Sequence, residues 1–127
     1  MRQAMVLGCR VDAVGRAGAI ERILELVHNE NGAQVVTLGT EMVVRAQSDE
    51  RFRKIVNACA LSLCDTIGVL LAARLHGVRI PERVTGVELL DPLCAALAGA
   101  QLPVFLLGAK GDTAQRVAQA LVTRYPA

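Results

Sequence analysis

Trp is absent from this 127-residue chain, and Phe52, Phe105 and Tyr125 are its only aromatic residues. Platforms on which bases could stack are therefore poorly supplied. Neither sign of charge is in excess: fourteen Lys and Arg stand against twelve Asp and Glu, for a net charge of +2. So small a balance gives no argument for a nucleic-acid partner. Charged residues make up only 20% of the chain and hydrophobic residues 53%, which excludes a disordered protein. No Cys-x-x-Cys pair occurs among Cys9, Cys59, Cys64 and Cys94, and each lies in apolar sequence. They read as reduced, buried thiols, not as zinc ligands. His28 and His76 are far apart and near predicted helix ends, so no metal site is expected. No Asp-x-Asp is present either, so the usual metal-dependent nucleotide-sugar site is not visible. Long apolar runs are missing as well, because Asp65 interrupts the longest apolar region. Val6-Leu7-Gly8-Cys9 has the look of a lipoprotein cleavage site, but a signal peptide needs about 15–30 residues before its cleavage point. Residues 4–9 are read as a strand instead. The expected location is cytoplasmic, with membrane contact only peripheral, at the inner face.

The length suits one domain with a real core. Apolar runs at Ala4–Cys9, Gln34–Leu38, Ala60–Cys64 and Val104–Leu107 predict four strands. Between the first two, Ile20, Ile23, Leu24 and Val27 fall at i, i+3, i+4, i+7, the stripe of an amphipathic helix stopped by Asn29-Glu30-Asn31-Gly32. A helix is expected over Glu41–Ala46, and another opens at Ser48-Asp49-Glu50. Its Arg51, Arg53 and Lys54 read as a solvated face. An apolar helix follows Asp65 and ends before Gly77. Asp91-Pro92 is expected to be N-cap and first position of a helix to Leu97, with residues 87–90 as a preceding turn. A last helix packs Val117 and Leu121. Strands alternating with helices predict an α/β fold with a small doubly wound, mostly parallel, Rossmann-like sheet flanked by helices. A hydrophobic share this high in so small a domain leaves apolar side chains exposed, so a homo-oligomer is expected.

In such sheets ligands bind beyond the carboxyl ends of the strands, where helix N-termini aim their N–H groups. Three sets of residues belong there: Thr37 with Gly39 after the second strand, Asp65 with Thr66 and Gly68 after the third, and the turn Gly108-Ala109-Lys110-Gly111-Asp112-Thr113 after the fourth. Arg83 comes from the loop behind Asp65. A hydroxyl, an acid, an arginine and a backbone nest could bind a phosphorylated substrate and deprotonate a hydroxyl. Each also has a plainer reading. Asp65 could be a helix N-cap, Thr37 an ordinary strand-end residue, and Arg83 a surface partner of Glu82 or Glu88. The Gly-x-x-Gly at 108–111 matches neither the dinucleotide fingerprint nor the Walker loop.

Four segments in order resemble the WecG/TagA/CpsF glycosyltransferases. Val35-Val36-Thr37-Leu38-Gly39-Thr40-Glu41 is similar to that family's Thr-x-Asn-x-Glu segment, and Cys64-Asp65-Thr66-Ile67-Gly68 to its Pro-Asp-Gly-x-Gly segment. Pro81-Glu82-Arg83-Val84-Thr85-Gly86-Val87-Glu88-Leu89 resembles its Glu-Arg-x-x-Gly-x-Asp-Leu loop, and Val104–Gly108 with the closing Tyr125-Pro126 its next stretch. Gly39 stands where the family usually has Asn, and Thr66 replaces a glycine beside the acid.

The resemblance covers the family's N-terminal part, with residues 1–127 as a single α/β domain; the family continues through a second half that carries further nucleotide-contacting segments. It implies transfer of an N-acetylhexosamine, N-acetylmannosamine-like, from a UDP-sugar to a polyprenyl-diphosphate-linked acceptor in cell-surface polysaccharide synthesis. The transfer would be a metal-independent inverting displacement with no cofactor. By that resemblance Asp65 is the base and Thr37 lines the same pocket. Arg83, Gly39, Thr66 and Gly68 meet substrate, and Gly108, Lys110 and Gly111 meet the donor. An ionised Asp can accept a proton in the transition state, and an arginine fork suits phosphate oxygens. Two other classes stay open: a truncated, non-catalytic relative that binds a nucleotide-sugar or a protein, and a small nucleotide-binding protein using the 108–113 turn.

Overall fold

A computed structural model describes residues 1–126. The chain divides into two compact units, residues 1–86 and the residues from Val87 on. It is an α/β protein whose described residues hold two sheets of two strands each.

The first apolar run is a hairpin, not one strand. Strands β1 (Gln3–Val6) and β2 (Cys9–Asp12) pair antiparallel, from Gln3 opposite Asp12 to Val6 opposite Cys9. The chain reverses at Leu7 (φ 47°) and Gly8 (φ 84°), the two positive φ values of a type I′ turn. Only Ala4 and Val6 of β1 are buried, so the strand has one core face instead of two.

Helix α1 (Arg16–Leu26) carries the predicted stripe, although its one fully buried residue is Ala19. Its N-cap, Gly15, has no side chain to offer, and Glu82 Oε1 accepts from the Arg16 N–H at 2.9 Å in its place. Strand β3 (Val35–Leu38) leads into α2 (Thr40–Ser48) and α3 (Glu50–Ala58). The helix start read at Ser48-Asp49-Glu50 is present, but Ser48 closes α2 and the cap is Asp49, which accepts from the Phe52 N–H at 3.0 Å. Strand β4 (Leu61–Cys64), buried at all four positions, pairs parallel with β3 from Val35–Leu61 to Leu38–Cys64. Helix α4 (Ile67–Leu75) follows. It closes in a Schellman motif: Gly77 (φ 80°) donates to Arg74 O and Val78 to Ala73 O, both at 3.0 Å.

One core serves this unit, with Val6, Val11, Leu38, Val56, Cys64 and Val69 at its centre. The hairpin and the parallel pair are joined by a buried carboxylate. Asp12, 2% exposed, accepts from the Ser62 N–H at 2.8 Å and from Arg10 Nη2 at 3.3 Å. Arg10 also donates to the carbonyls of Cys59 and Asn57. A charge so deep persists because its partners replace the water it gave up.

The second unit departs further from expectation. Helix α5 (Gly86–Gly99) begins well before Asp91, and Pro92 lies inside it. Burial of Leu89, Cys94 and Leu97 along one stripe carries the helix through the missing N–H of the proline. Asp91 is not a cap: its carboxylate accepts from Arg124 Nη1 at 2.6 Å and the Tyr125 hydroxyl at 3.0 Å. Residues 104–107 form no strand. A strand needs a neighbour for its N–H and C=O groups, and none is present for this run among the described residues. Phe105 and Leu107 are instead exposed. Helix α6 (Thr113–Arg124) ends the unit, with Ala114, Val117, Ala118 and Leu121 on its half-buried face.

Candidate functional site

The parallel pair ends at Leu38 and Cys64, and both strands run straight into helices. Asp65 N donates to Leu38 O at 3.0 Å, which carries the strand pairing one step past the ladder. Gly39 and Thr66, both extended, are the N-caps of α2 and α4. Two helix N-termini therefore open side by side at one sheet edge, with N–H groups that no intrahelical carbonyl takes.

Thr66, not Asp65, caps α4: its Oγ1 accepts from the Val69 N–H at 3.5 Å. The capping reading of Asp65 thereby falls. Its carboxylate is half-buried and has no hydrogen bond or ion pair among the described residues. Thr66 Oγ1 is also 2.9 Å from Thr40 Oγ1, so the two helix starts are tied through their hydroxyls. Space between them is tight. A Cβ on Gly39 would lie 3.3 Å from Thr66 Cγ2, and one on Gly68 would lie 2.8 Å from Thr40 Oγ1. Gly68 is therefore required by the close approach of α2.

Arg83 reaches the same edge through its backbone. Val84 N donates to Cys64 O at 2.7 Å, and buried Val84 anchors the loop while Arg83 stays exposed. Arg83 makes no ion pair among the described residues, so neither Glu82 nor Glu88 holds it there. The loop ends at Gly86, where a Cβ would be 3.7 Å from both Thr37 Oγ1 and Thr37 Cγ2. Electrostatics also connects these groups. Burial, and then the neighbouring Asp65 charge, push the Cys64 thiol up to about 11, while Arg83 pulls it the other way.

Of the sequence-predicted residues, Thr37, Gly39, Asp65, Thr66, Gly68 and Arg83 thus meet at one strand edge. Gly108, Lys110 and Gly111 belong to the second unit. There they form an exposed turn with positive φ at Gly108, Ala109 and Gly111, closed by Thr113 Oγ1 donating to Lys110 O at 2.8 Å. Sequence reasoning missed Thr40. Its signal was positional, a hydroxyl at the first residue of a helix that follows a strand. It also missed Asp12, which stands at the end of a strand read as loop. No group of three His, Cys, Asp or Glu side chains able to hold a metal occurs among the described residues.

Adjacent parallel strands hand over to two helix N-termini, with a carboxylate and an arginine at the same edge, an arrangement whose N–H groups and guanidinium suit an anionic ligand. Residues 4–127 match the profile of the glycosyl transferase WecG/TagA/CpsF family, and the chain belongs to that family. It is 27% identical over 123 residues to an N-acetylglucosaminyldiphosphoundecaprenol N-acetyl-beta-D-mannosaminyltransferase of Staphylococcus aureus, found in strains NCTC 8325 and COL. The match covers 95% of this chain and 48% of each relative, so the chain spans about half their length. No helix among the described residues is long and apolar enough to cross a membrane.

Proposed function

We propose that this chain supplies the acceptor-activating half of an inverting, metal-independent transfer of an N-acetylhexosamine, N-acetylmannosamine by analogy with the relatives. The donor in this reading is a UDP-sugar, and the acceptor is a polyprenyl-diphosphate-linked sugar. Asp65 takes the proton of the acceptor hydroxyl while that oxygen attacks the anomeric carbon. The bond from the anomeric carbon to the UDP oxygen breaks on the opposite face, and UDP leaves with the electron pair. Arg83 and the N-termini of α2 and α4 offset diphosphate charge. Thr37 orients the sugar, Gly39, Thr66 and Gly68 contact the acceptor beside it, and Gly108, Lys110 and Gly111 contact the donor. Both units belong to one α/β domain in this reading, and the parallel pair is the centre of a doubly wound, Rossmann-like sheet. The chain works in the cytoplasm against the inner face of the membrane. It self-associates through apolar residues such as Phe105 and Leu107, which are 86% and 91% exposed.

The observation that carries this reading is the Asp65 carboxylate, held at the strand edge with no structural partner among the described residues. A base must be free to take a proton, and an acid used as a cap is not. UDP release from UDP-N-acetylmannosamine with a polyprenyl-diphosphate-linked acceptor tests it. Turnover that falls by roughly 10²–10⁴-fold in Asp65→Asn is expected for a positioned base. UDP binding without any turnover would favour a non-catalytic binding module instead.

A further inference from the structure

Beside the paired helix N-termini lies a second, apolar feature of the same unit. A cavity of about 160 Å³ opens between the β1–β2 turn, α2 and α4. Leu7, Val43, Val44 and Ala72 line it, and Thr40 and Gly68 stand at its polar end. No charged residue lines it. Gly68, Ala72 and Leu75 recur at i, i+4, i+7, with Leu71 beside them, so the apolar face continues along α4 for about 10 Å. Leu71 is 49% and Leu75 88% exposed on that face.

The turn makes this surface costly to keep. Leu7 has φ 47°, where a two-residue hairpin turn favours Asn, Asp or Gly, and its side chain is nonetheless 65% exposed. Gln47 Nε2 donates to Leu7 O at 2.9 Å and Asn57 Nδ2 to Gly8 O at 2.8 Å, so the turn is held rigidly. A strained, clamped and exposed leucine at the mouth of an apolar cavity is the kind of outlier that points to a ligand. Its occupant follows from what adjoins it. Thr40 and Gly68 belong both to the cavity and to the cluster of helix N-termini that suits a diphosphate. A molecule filling both must carry a diphosphate next to a hydrocarbon chain.

We propose that the groove bounded by Leu7, Val44 and the Gly68–Leu75 face of α4 seats the first isoprene units of the diphosphate-linked acceptor, an assignment that rests on the acceptor reading above. The diphosphate would lie at the Thr40–Thr66 end and the chain would run along α4.

Equilibrium binding of dimethylallyl, geranyl and farnesyl diphosphate to this chain tests it. Affinity is expected to climb along the series by tenfold or more, each methylene seated contributing up to about fourfold. Leu7→Asn, which suits the turn better, and Val44→Gln should flatten the climb, weakening farnesyl diphosphate far more than dimethylallyl diphosphate, whose single isoprene unit fills only the start of the groove. A flat series in the unaltered chain, or a climb preserved in both variants, would overturn the assignment. A climb lost in the variants with no measurable dimethylallyl diphosphate binding would uphold the groove while removing the diphosphate site from the acceptor reading. Two other outcomes also overturn it. One is a variant that disperses an oligomer and keeps the climb; the other is vesicle binding that falls in the variants while the climb remains.

Discussion

Thr66 fills the space that a side chain on Gly39 would need: a Cβ at Gly39 would stand 3.3 Å from Thr66 Cγ2. The two departures of this chain from its family's segments, Gly for Asn at 39 and Thr for Gly at 66, are thus neighbours across one gap. Adding a side chain at 39 requires the Thr66 methyl to give by a few tenths of an ångström, which perturbs the cap on Val69 and the hydrogen bond to Thr40. Gly39→Asn alone is expected to cost about 1–2 kcal/mol by overpacking, since its extended backbone brings no strain of its own. Thr66→Gly alone should cost only a few tenths, because glycine is nearly as good a cap as threonine. The pair together should be more stable than the sum of the singles predicts, by about 1 kcal/mol. Urea unfolding of the four proteins measures this. Additivity to within about 0.3 kcal/mol would show that the two positions are independent.

Asp65 and Thr66 divide two roles that one residue could have held. Because Thr66 is the cap, Asp65→Asn should leave stability within about 0.5 kcal/mol of the unaltered chain. Thr66→Ala should cost about 1 kcal/mol, the ordinary worth of a cap. Thermal unfolding of both variants decides the assignment. A larger loss in Asp65→Asn than in Thr66→Ala would return the acid to a structural role.

Arg83 is exposed while its neighbour Val84 is buried and hydrogen-bonded to Cys64. Arg83→Ala should therefore change stability by no more than about 0.5 kcal/mol. It should weaken UDP or a polyprenyl-diphosphate analogue by roughly 1.5–3 kcal/mol, the range for a hydrogen bond to a charged group. Arg83→Lys should recover only part of this, because a point charge cannot replace a bidentate fork. Titration calorimetry with both ligands is the check, and unchanged affinity for both would remove Arg83 from the site.

Asp12 is the group whose loss the fold should feel most. Asp12→Ala frees the Ser62 N–H and leaves Arg10, only 17% exposed at its side chain, without its carboxylate. Arg10 keeps its bonds to Cys59 O and Asn57 O, so the cost should fall near the lower end of a broken buried pair, about 3 kcal/mol. Denaturant unfolding measures it, and a loss under about 1 kcal/mol would mean that water reaches the pair.

Local rules placed β3, β4 and the helices of the first unit well. The α3 start at residues 48–50, the Gly77 stop and the apolar β4 run each depend on a few consecutive residues. Thr37, Asp65 and Arg83 could be singled out for the same reason: each follows a recognisable strand, or a loop behind one. What stayed hidden depended on distant partners. The Leu7–Gly8 reversal contradicts the turn preferences of leucine and is held by Gln47 and Asn57, some 40 and 49 residues away. Asp12 reads as a loop residue until Ser62 is beside it. Residues 104–107 have strand composition, but composition supplies no neighbour to pair with. Pro92 breaks helices in the abstract, and α5 runs through it because three buried side chains outweigh one lost hydrogen bond.

Cys64 is linked through the charges of Asp65 and Arg83 to the strand edge above it. Burial holds this thiol neutral in the folded chain, and the Asp65 charge adds to that, pushing its pKa up to about 11 against the pull of Arg83. Unfolded, it ionises near the ordinary cysteine value of about 8.5. Between these values the folded chain holds more protons than the unfolded one, so stability is present in full below about pH 8.5 and falls as pH rises toward 11. Cys9, Cys59 and Cys94 are also raised by burial and act with the same sign. Urea unfolding from pH 8 to pH 11 should therefore show a steady loss; a flat profile would mean that water reaches these thiols in the fold. The contribution of the site can be isolated by following alkylation at Cys64 alone, by peptide mass, across the same pH range. Asp65→Asn should move the alkylation midpoint to lower pH, because one cause of the raised value is gone. Arg83→Ala should move it to higher pH. Opposite shifts from two exposed-edge substitutions would place both charges within reach of one buried sulfur, and therefore within reach of one bound substrate. Midpoints that do not move would separate Asp65 from Arg83 and count against a shared site for the two.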